Sequence, residues 1–311
     1  MSSILFWGLT VVTAITVTVH LLTFLGQVLK QPALEYYGRS IASFSALFLC
    51  ATYGTIASAC LNVAGYGGLG QWTTARSFKW IMLLFTGVWF DIRQEDGGDW
   101  LNQTRPAVFV GNHQTELDVL FLGHAFPKYC SVTSKKSLSY VPFLGWFMSL
   151  SKTVFIERSS REQAVAAFAK AAEQMHSGGQ SVYIFPEGTR SYYDHPDLLP
   201  FKKGAFHLAV QAQVPIVPIV VANYSNVLNV KRKFFRPGVI PARVLKPIST
   251  KGKTKEDVDA LLEETRSKML KVLKEITVTA REQGIAVKKE EVSGRHANAM
   301  GATSGVDIAK A

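Results

Sequence analysis

Cysteine and charged residues are both scarce in this chain of 311 residues. The three cysteines, Cys50, Cys60 and Cys130, are too few and too widely spaced for a disulfide framework or a zinc site, so we expect reduced thiols. Charged residues make up only 18% of the chain, and acidic residues are the scarcer kind, with 23 Asp and Glu against 34 Lys and Arg. The hydrophobic share of 48% excludes a disordered or collagen-like chain, although the net charge is +11. An apolar, cationic chain suggests a membrane surface as its partner and not a nucleic acid.

Two long stretches, residues 2–29 and 40–75, contain no Asp, Glu, Lys or Arg. Because about 20 apolar residues span a bilayer, residues 1–75 are predicted to form a hairpin of two membrane-embedded helices. A cleaved signal peptide is the competing interpretation, but no basic residue precedes the first run and a second run follows closely. Arg76, Lys79 and Arg93 come after the second run and favour the cytosolic side for the remainder.

The rest of the chain has a sequence pattern typical of an α/β domain, which is predicted over residues 76–283. Short β-branched runs at 107–110, 153–156, 181–185 and 214–221 predict buried strands, and the run from 161 to 176 predicts a helix between them. This alternation indicates a mixed, partly parallel sheet flanked by helices. Pro215 and Pro218 predict that the last of these strands is an edge or bulged strand, which could line an acyl groove.

Three further segments carry predictions. Residues 80–90 are aromatic and fit an interfacial helix or a third dip into lipid, and a buried core helix fits equally well. Residues 254–282 begin with Thr-x-x-Asp and place apolar side chains on one helical face, which predicts a docked amphipathic helix. Residues 284–311 lose their large apolar side chains and are predicted to be a flexible tail.

A histidine and an aspartate follow the first predicted strand, in Asn112-His113-Gln-Thr-Glu-Leu-Asp118. Open α/β sheets build their sites at the carboxyl ends of strands, and a carboxylate that orients an imidazole makes it a general base. Two other interpretations stay open: Asp118 as a helix-start residue beside an ordinary loop histidine, and a metal site with His124 as third ligand.

A second candidate follows the strand at 181–185, in Phe185-Pro-Glu-Gly-Thr-Arg190. Gly188 permits close backbone approach, Arg190 offers a forked donor suited to phosphate, and Glu187 is placed to orient that guanidinium. Lys202 and Lys203 add positive charge a short loop later. These features predict an anion site, and a simple turn with a surface ion pair explains them equally well.

Four blocks in this order resemble the lysophosphatidic acid acyltransferase family, the 1-acylglycerol-3-phosphate O-acyltransferases. They are Asn112-His113-x4-Asp118; the spacing of Lys135, Leu138, Gly145 and Arg158; Phe185 to Arg190; and Val214-Pro-Ile-Val-Pro218. The resemblance covers roughly residues 80–248 and also includes the hydrophobic N-terminal hairpin.

The resemblance implies transfer of a fatty acyl group from acyl-CoA to the sn-2 hydroxyl of lysophosphatidate, at the cytosolic face of a membrane such as the endoplasmic reticulum. His113 would be the general base and Asp118 its orienting partner. The substrate-binding residues would be Asn112, Lys135, Arg158, Glu187, Gly188, Thr189, Arg190 and Lys202. Acyl-CoA would be a co-substrate, with no metal and no other cofactor, and membrane lipids would surround the site.

Two alternatives to that function remain. A sister acyltransferase would act on glycerol-3-phosphate or on another lysophospholipid, although Glu-Gly-Thr-Arg followed by Ser191 favours lysophosphatidate. A non-catalytic membrane lipid-binding protein would use the same pocket, but the intact His113 and Asp118 argue against it. Because no Gly-x-Ser-x-Gly elbow occurs in the chain, the sequence also argues against an acyl-serine hydrolase.

Overall fold

The computed structural model describes residues 3–157 and 159–282. The predicted flexible tail at 284–311 therefore lies outside the described residues. The α-helices are α1 Ser3–Val28, α2 Pro32–Val63, α3 Gly70–Thr86, α4 Trp100–Gln103, α5 Asp118–Ala125, α6 Leu144–Leu150, α7 Arg161–Gly178, α8 Gly204–Gln211 and α9 Val258–Glu282. The β-strands are β1 Val88–Gln94, β2 Val108–Gly111, β3 Cys130–Lys135, β4 Val154–Ile156, β5 Ser181–Ile184, β6 Ile216–Val221, β7 Leu228–Asn229, β8 Phe234–Phe235 and β9 Gly238–Val244.

Seven of the described strands form one sheet in the order β1-β9-β6-β2-β5-β3-β4. β6 and β9 pair antiparallel, while the other neighbours in this sheet pair parallel, so the predicted mixed, partly parallel sheet is confirmed. The four strands predicted from sequence lie within two residues of their predicted positions. Because β2, β3, β5 and β6 run in the same direction, their carboxyl ends meet at one edge of the sheet.

Helices cover both faces of the sheet. On one face, α7, α8 and α9 bury a cluster that includes Met175, Phe206 and Met269 against the strands. On the other face, α2, α3 and α5 pack with Phe109, Phe121 and their neighbours into a second cluster. The three cysteines are free thiols, as expected.

The strand β6 was predicted to lie at an edge, and this is wrong. It lies third in the sheet, between β9 and β2. Pro218 is tolerated there because the ladder with β9 begins only at Ile219, so the missing N–H falls where the pairing is interrupted. The Pro218 carbonyl still accepts a hydrogen bond of 2.8 Å from the Leu245 amide.

The segment predicted as a helix near residues 80–90 is divided between two elements. The helix α3 ends at Thr86, because Gly87 takes a left-handed conformation with φ of 68° that closes the helix. From Val88 onward the chain forms β1, which pairs with β9 along its whole length. Phe78 and Met82 on α3 are buried, whereas Trp80 and Leu84 are exposed. One face of this helix is thus part of the core.

Both α1 and α2 are long and apolar enough to cross a membrane, over Phe6–Val28 and Pro32–Val63. Nevertheless α2 is not separate from the α/β domain. Small side chains recur every four residues on its buried face, at Gly38, Ala42, Ala46, Cys50, Gly54 and Ser58. They let other helices approach closely: Gly38 faces α1, and Gly54 lies against Thr74 of α3 and Phe147 of α6.

Polar contacts tie α2 to the domain at both ends. Near its beginning, the Arg39 guanidinium donates to the Thr86 carbonyl at 2.7 Å. At its end, the Asn62 amide donates to the Leu150 carbonyl at 2.8 Å. The helix therefore lies lengthwise along the α/β domain.

The predicted C-terminal helix is confirmed. Thr254 and Asp257 form a capping box, and α9 follows it from Val258 to Glu282. Of the side chains predicted on its apolar face, Val258, Leu261, Thr265, Met269 and Ile276 are buried.

Candidate active site

The site begins where β2 ends. Asn112 is 1% exposed, and its side-chain amide makes two hydrogen bonds to the backbone of Val221, one at 3.0 Å to the carbonyl and one at 2.8 Å from the amide. This side chain continues the pairing between β2 and β6 beyond the last residue of β2. Asn112 was predicted to contact substrate, but its polar atoms are used inside the protein, so it positions the residue that follows.

The side chains of His113 and Asp118 meet as the sequence suggested. Nδ1 of His113 lies 2.7 Å from Oδ2 of Asp118, with the side chains 17% and 1% exposed. The chain turns into α5 at Asp118, so the carboxylate folds back over the loop and also accepts the backbone N–H groups of Gln114 and Thr115. An ionised carboxylate can only accept, so Nδ1 carries the proton and Nε2 keeps its lone pair.

Phe185 and Tyr224 complete this arrangement, and no sequence pattern predicted a role for either side chain. The Phe185 ring stacks on the imidazole with centroids 4.1 Å apart. The Tyr224 hydroxyl is buried, donates to Oδ1 of Asp118 at 2.6 Å and accepts from the Thr115 amide at 3.1 Å. The position of these two residues in the sequence could have indicated a role, because Tyr224 and Phe185 each follow closely on the carboxyl end of a strand.

Glu187 holds two loops together and does not orient Arg190. One carboxylate oxygen accepts from the His113 amide at 2.6 Å and the other from the Leu199 amide at 2.9 Å. The side chain is buried, and this burial raises the pKa of Glu187 to about 7 against the opposing effect of the two hydrogen bonds. The expected contact with substrate is therefore not available to this carboxylate in the structure, and the expected pairing with Arg190 is absent.

Arg190 pairs with Glu116 instead. Its Nη1 lies 2.9 Å from Oε1 of Glu116, and the Tyr192 hydroxyl donates to the same oxygen at 2.7 Å. The amides of Ser191 and Tyr192 donate to the carbonyls of His113 and Gln114, so the chain after Arg190 runs beside the histidine loop. These bonds place an exposed guanidinium next to the loop that carries His113.

Gly188, Thr189 and Lys202 lie at the turn after β5. Gly188 has φ of 70°, and a Cβ there would come within 2.8 Å of the Lys202 side chain. Glycine thus lets Lys202 cross over the turn, and the side chains of Thr189 and Lys202 are both exposed to solvent. An anion in solution can therefore reach both side chains.

Of the remaining predicted contacts, the structure places only Lys135, farther along the same edge. Lys135 is the last residue of β3, which is parallel to β5, and it is exposed. Arg158, in contrast, lies outside the described residues.

In the described part of the chain, no cluster of three or more His, Cys, Asp or Glu side chains is arranged to hold a metal ion. His124, considered as a third ligand, belongs to the core. Its ring packs on Trp89 and Phe90, and burial lowers its pKa to about 4.

The sequence of this chain is similar to those of known acyltransferases. The profile of the Acyltransferase family matches residues 93–222, which include every predicted site residue. The 1-acyl-sn-glycerol-3-phosphate acyltransferase of Saccharomyces cerevisiae is 44% identical over 241 residues, which cover 78% of each chain. The chain belongs to the 1-acyl-sn-glycerol-3-phosphate acyltransferase family. The human 1-acyl-sn-glycerol-3-phosphate acyltransferase beta is 38% identical over 259 residues, 81% of this acyltransferase and 88% of the human chain.

A solved structure shares the fold of this acyltransferase. The 1-acyl-sn-glycerophosphate (LPA) acyltransferase PlsC from Thermotoga maritima superposes with a TM-score of 0.52 at 22% identity, covering 73% of this chain and 95% of that one. The resemblance stated from the four sequence blocks is therefore confirmed at the level of family and fold.

Proposed function

We propose that this acyltransferase moves a fatty acyl group from acyl-CoA to the sn-2 hydroxyl of 1-acyl-sn-glycerol-3-phosphate, forming phosphatidate. The observation that carries the proposal is the hydrogen bond of 2.7 Å between His113 and a fully buried Asp118, beside an exposed guanidinium. The names of the related proteins support lysophosphatidate as the acceptor.

In the proposed reaction, Nε2 of His113 removes the proton of the acceptor hydroxyl as its oxygen attacks the thioester carbonyl. Asp118 holds the Nδ1–H and stabilises the imidazolium that forms. The new C–O bond forms, the C–S bond breaks, and the imidazolium returns the proton to the departing sulfur. A thioester is already activated, so orientation and a base suffice without a covalent enzyme intermediate.

The acceptor phosphate is assigned to the turn after β5. Arg190 supplies a planar fork for two phosphate oxygens, and the exposed Thr189 and Lys202 add a hydroxyl and a charge. Lys135 and Arg158 are proposed to contact the substrates' other anionic groups. Glu116 contacts one nitrogen of this fork, Nη1 at 2.9 Å, so phosphate would compete with an exposed carboxylate for it.

The apolar helices support a membrane location for this reaction. The exposed side chains of α1 and of the outer face of α2 include Phe6, Trp7, Phe24, Phe44 and Phe48. Burying such a surface in lipid would place the sheet edge where an insoluble acceptor and product reside. The endoplasmic reticulum, with the domain on the cytosolic side, is the proposed membrane.

A panel of acceptors tests the proposal. Purified protein in nonionic micelles receives labelled acyl-CoA with lysophosphatidate, glycerol-3-phosphate or lysophosphatidylcholine, and kcat/KM is expected to be highest for lysophosphatidate. A higher value for another acceptor would assign the protein to a sister activity. No transfer to any acceptor by a folded protein would favour the lipid-binding alternative.

Arg190→Lys tests the acceptor contact. Lysine keeps the charge but loses the fork, so the KM for lysophosphatidate is expected to rise about 10-fold, which corresponds to about 1.4 kcal/mol, while the KM for acyl-CoA stays within twofold. Arg243→Lys is the matched control, because Arg243 makes a similar pair of 2.8 Å with Glu275 away from the site. A shift confined to acyl-CoA would remove Arg190 from the acceptor site.

A further inference from the structure

A short basic hairpin lies beside the active-site loop and takes no part in the proposed reaction. It comprises residues 228–236, with β7 and β8 as its strands and the sequence Leu-Asn-Val-Lys-Arg-Lys-Phe-Phe-Arg. Lys231, Arg232 and Lys233 form its exposed turn, and the hairpin contains no acidic residue.

The hairpin is an ordered part of the fold. Leu228 and Phe235 are buried in the core cluster that also contains residues of α2 and α5. The Asn229 side chain accepts from the Arg232 amide at 2.9 Å, and the Arg236 amide donates to the Val227 carbonyl at 2.8 Å. These bonds fix the backbone of the turn that carries the three cationic side chains.

The position of the hairpin places it next to the apolar helices. Nζ of Lys233 lies 5.3 Å from the centre of the Tyr37 ring, near the start of α2. Close by, the connection between α1 and α2 carries Lys30 between the exposed Val28 and Leu29 on one side and α2 on the other. Apolar side chains, tyrosines and cations in this arrangement are typical of a surface that lies at the level of lipid headgroups.

We propose that the basic hairpin binds the anionic headgroups of membrane phospholipids and so sets how the active site sits on the membrane. Lys231 lines a small cavity together with Thr115, Tyr192 and Tyr224, so the hairpin adjoins the loop that carries His113 and Asp118. Arg232 lies 3.6 Å from Asp194, and Lys231 and Lys233 are both exposed to solvent. This inference rests on the proposed membrane location but not on the identity of the acceptor.

A competition between two kinds of vesicle isolates the hairpin from the apolar anchor. The full chain is diluted from nonionic detergent into a mixture of sucrose-loaded vesicles containing about a third phosphatidylserine and light vesicles of pure phosphatidylcholine. After centrifugation, the amount of protein on the phosphatidylserine vesicles is divided by the amount on the phosphatidylcholine vesicles. This ratio reports the preference for anionic lipid, because the apolar contribution is common to both kinds of vesicle.

Replacing Lys231, Arg232 and Lys233 with Gln is expected to lower this ratio at least 10-fold, since each cation near an anionic surface contributes a factor of about five. The matched control replaces Lys268, Lys271 and Lys274 with Gln. It removes the same charge from the exposed side of α9, on the opposite face of the sheet, and should change the ratio less than twofold. Raising the salt from about 0.1 M to about 1 M should abolish the wild-type preference.

Two results would overturn the proposal: an unchanged ratio in the hairpin variant, or an equal fall in both variants, which would indicate net charge alone. Acyl transfer in neutral micelles is measured in parallel and is expected to stay within twofold of wild type for both variants. If wild-type protein transferred no acyl group, the proposed function would fail, while the vesicle ratio would still decide whether the hairpin binds anionic lipid.

Discussion

At the scale of single residues, the proposed chemistry depends on one imidazole whose two nitrogens have different environments. Nδ1 is fixed by Asp118, and Nε2 is the nitrogen left for the acceptor hydroxyl. His113→Ala should therefore lower kcat by about 10²- to 10⁴-fold, and Asp118→Asn should also lower it severely because an amide does not stabilise an imidazolium. Initial rates with saturating substrates measure both. His207→Ala, on the exposed face of α8, serves as the control, and a rate within threefold of wild type for His113→Ala would exclude the histidine as base.

We expect Tyr224 to act on the proposed reaction through Asp118. Its hydroxyl donates a hydrogen bond of 2.6 Å to the Asp118 carboxylate oxygen that His113 does not contact. Tyr224→Phe therefore removes one donor and leaves the ring in place. We expect kcat to fall on the order of 10-fold, because a hydrogen bond to a charged group contributes about 1.5–3 kcal/mol. The acid limb of the pH–rate profile should move to higher pH, since a carboxylate with fewer donors attracts the imidazolium proton more strongly.

The pH profile separates positioning from simple packing. A purely structural role for Tyr224 would lower the melting temperature without displacing the acid limb. Tyr193→Phe, on the neighbouring loop, should leave both kcat and the profile unchanged. An unaltered profile in Tyr224→Phe would show that the hydroxyl does not act on the dyad.

At the scale of elements, Glu187 connects the loop after β2, the turn after β5 and the segment that precedes α8. Its folded pKa of about 7 lies above the ordinary value of 4.5, so the folded protein holds this proton more tightly than the unfolded chain does. The resulting stabilisation is fully present below about pH 4.5 and is lost as the pH rises through about 7, with a magnitude on the order of 3 kcal/mol.

Glu187→Gln removes this titration. The amide accepts only one of the two backbone N–H groups, so the variant should be less stable by about 1–3 kcal/mol, and its melting temperature should vary less between pH 4.5 and 7. Thermal unfolding in nonionic micelles across that range measures both effects. Glu264→Gln, an exposed carboxylate paired with Lys268 on α9, is the control. An identical pH dependence in wild type and Glu187→Gln would contradict the assigned pKa.

Local sequence predicted most elements because strand and helix patterns depend on neighbouring residues. Runs of β-branched residues predicted β2 and β5, the strands that precede His113 and Phe185. A capping box and an apolar face predicted α9. The partners of Arg190 and Glu187 were not recognisable, because Glu116 and Leu199 approach them only through the paired loops. Likewise, Pro218 predicted an edge strand because proline lacks a backbone donor, and only the sheet order revealed that this missing donor falls in a gap of the ladder.

At the scale of the whole molecule, the arrangement of α2 bears on how the protein meets the membrane. Composition alone predicted two spans, with the connection between them on the far side of the bilayer. In the structure Arg39 near the beginning of α2 and Asn62 at its end both bond to the α/β domain, along a helix about 48 Å long. A helix that left the domain to cross the bilayer would keep only one of these contacts.

We therefore expect the connection between α1 and α2 to lie on the same side of the membrane as the α/β domain, with both helices embedded in the nearer leaflet. In sealed microsomes, Lys30→Cys on a Cys60→Ser background should react with a membrane-impermeant maleimide without permeabilisation, at a rate similar to Lys251→Cys on the exposed loop before α9. Cys50 and Cys130 are buried and contribute little background. Labelling of Lys30→Cys only after detergent, with Lys251→Cys labelled throughout, would establish two complete spans and require α2 to separate from the domain in the membrane.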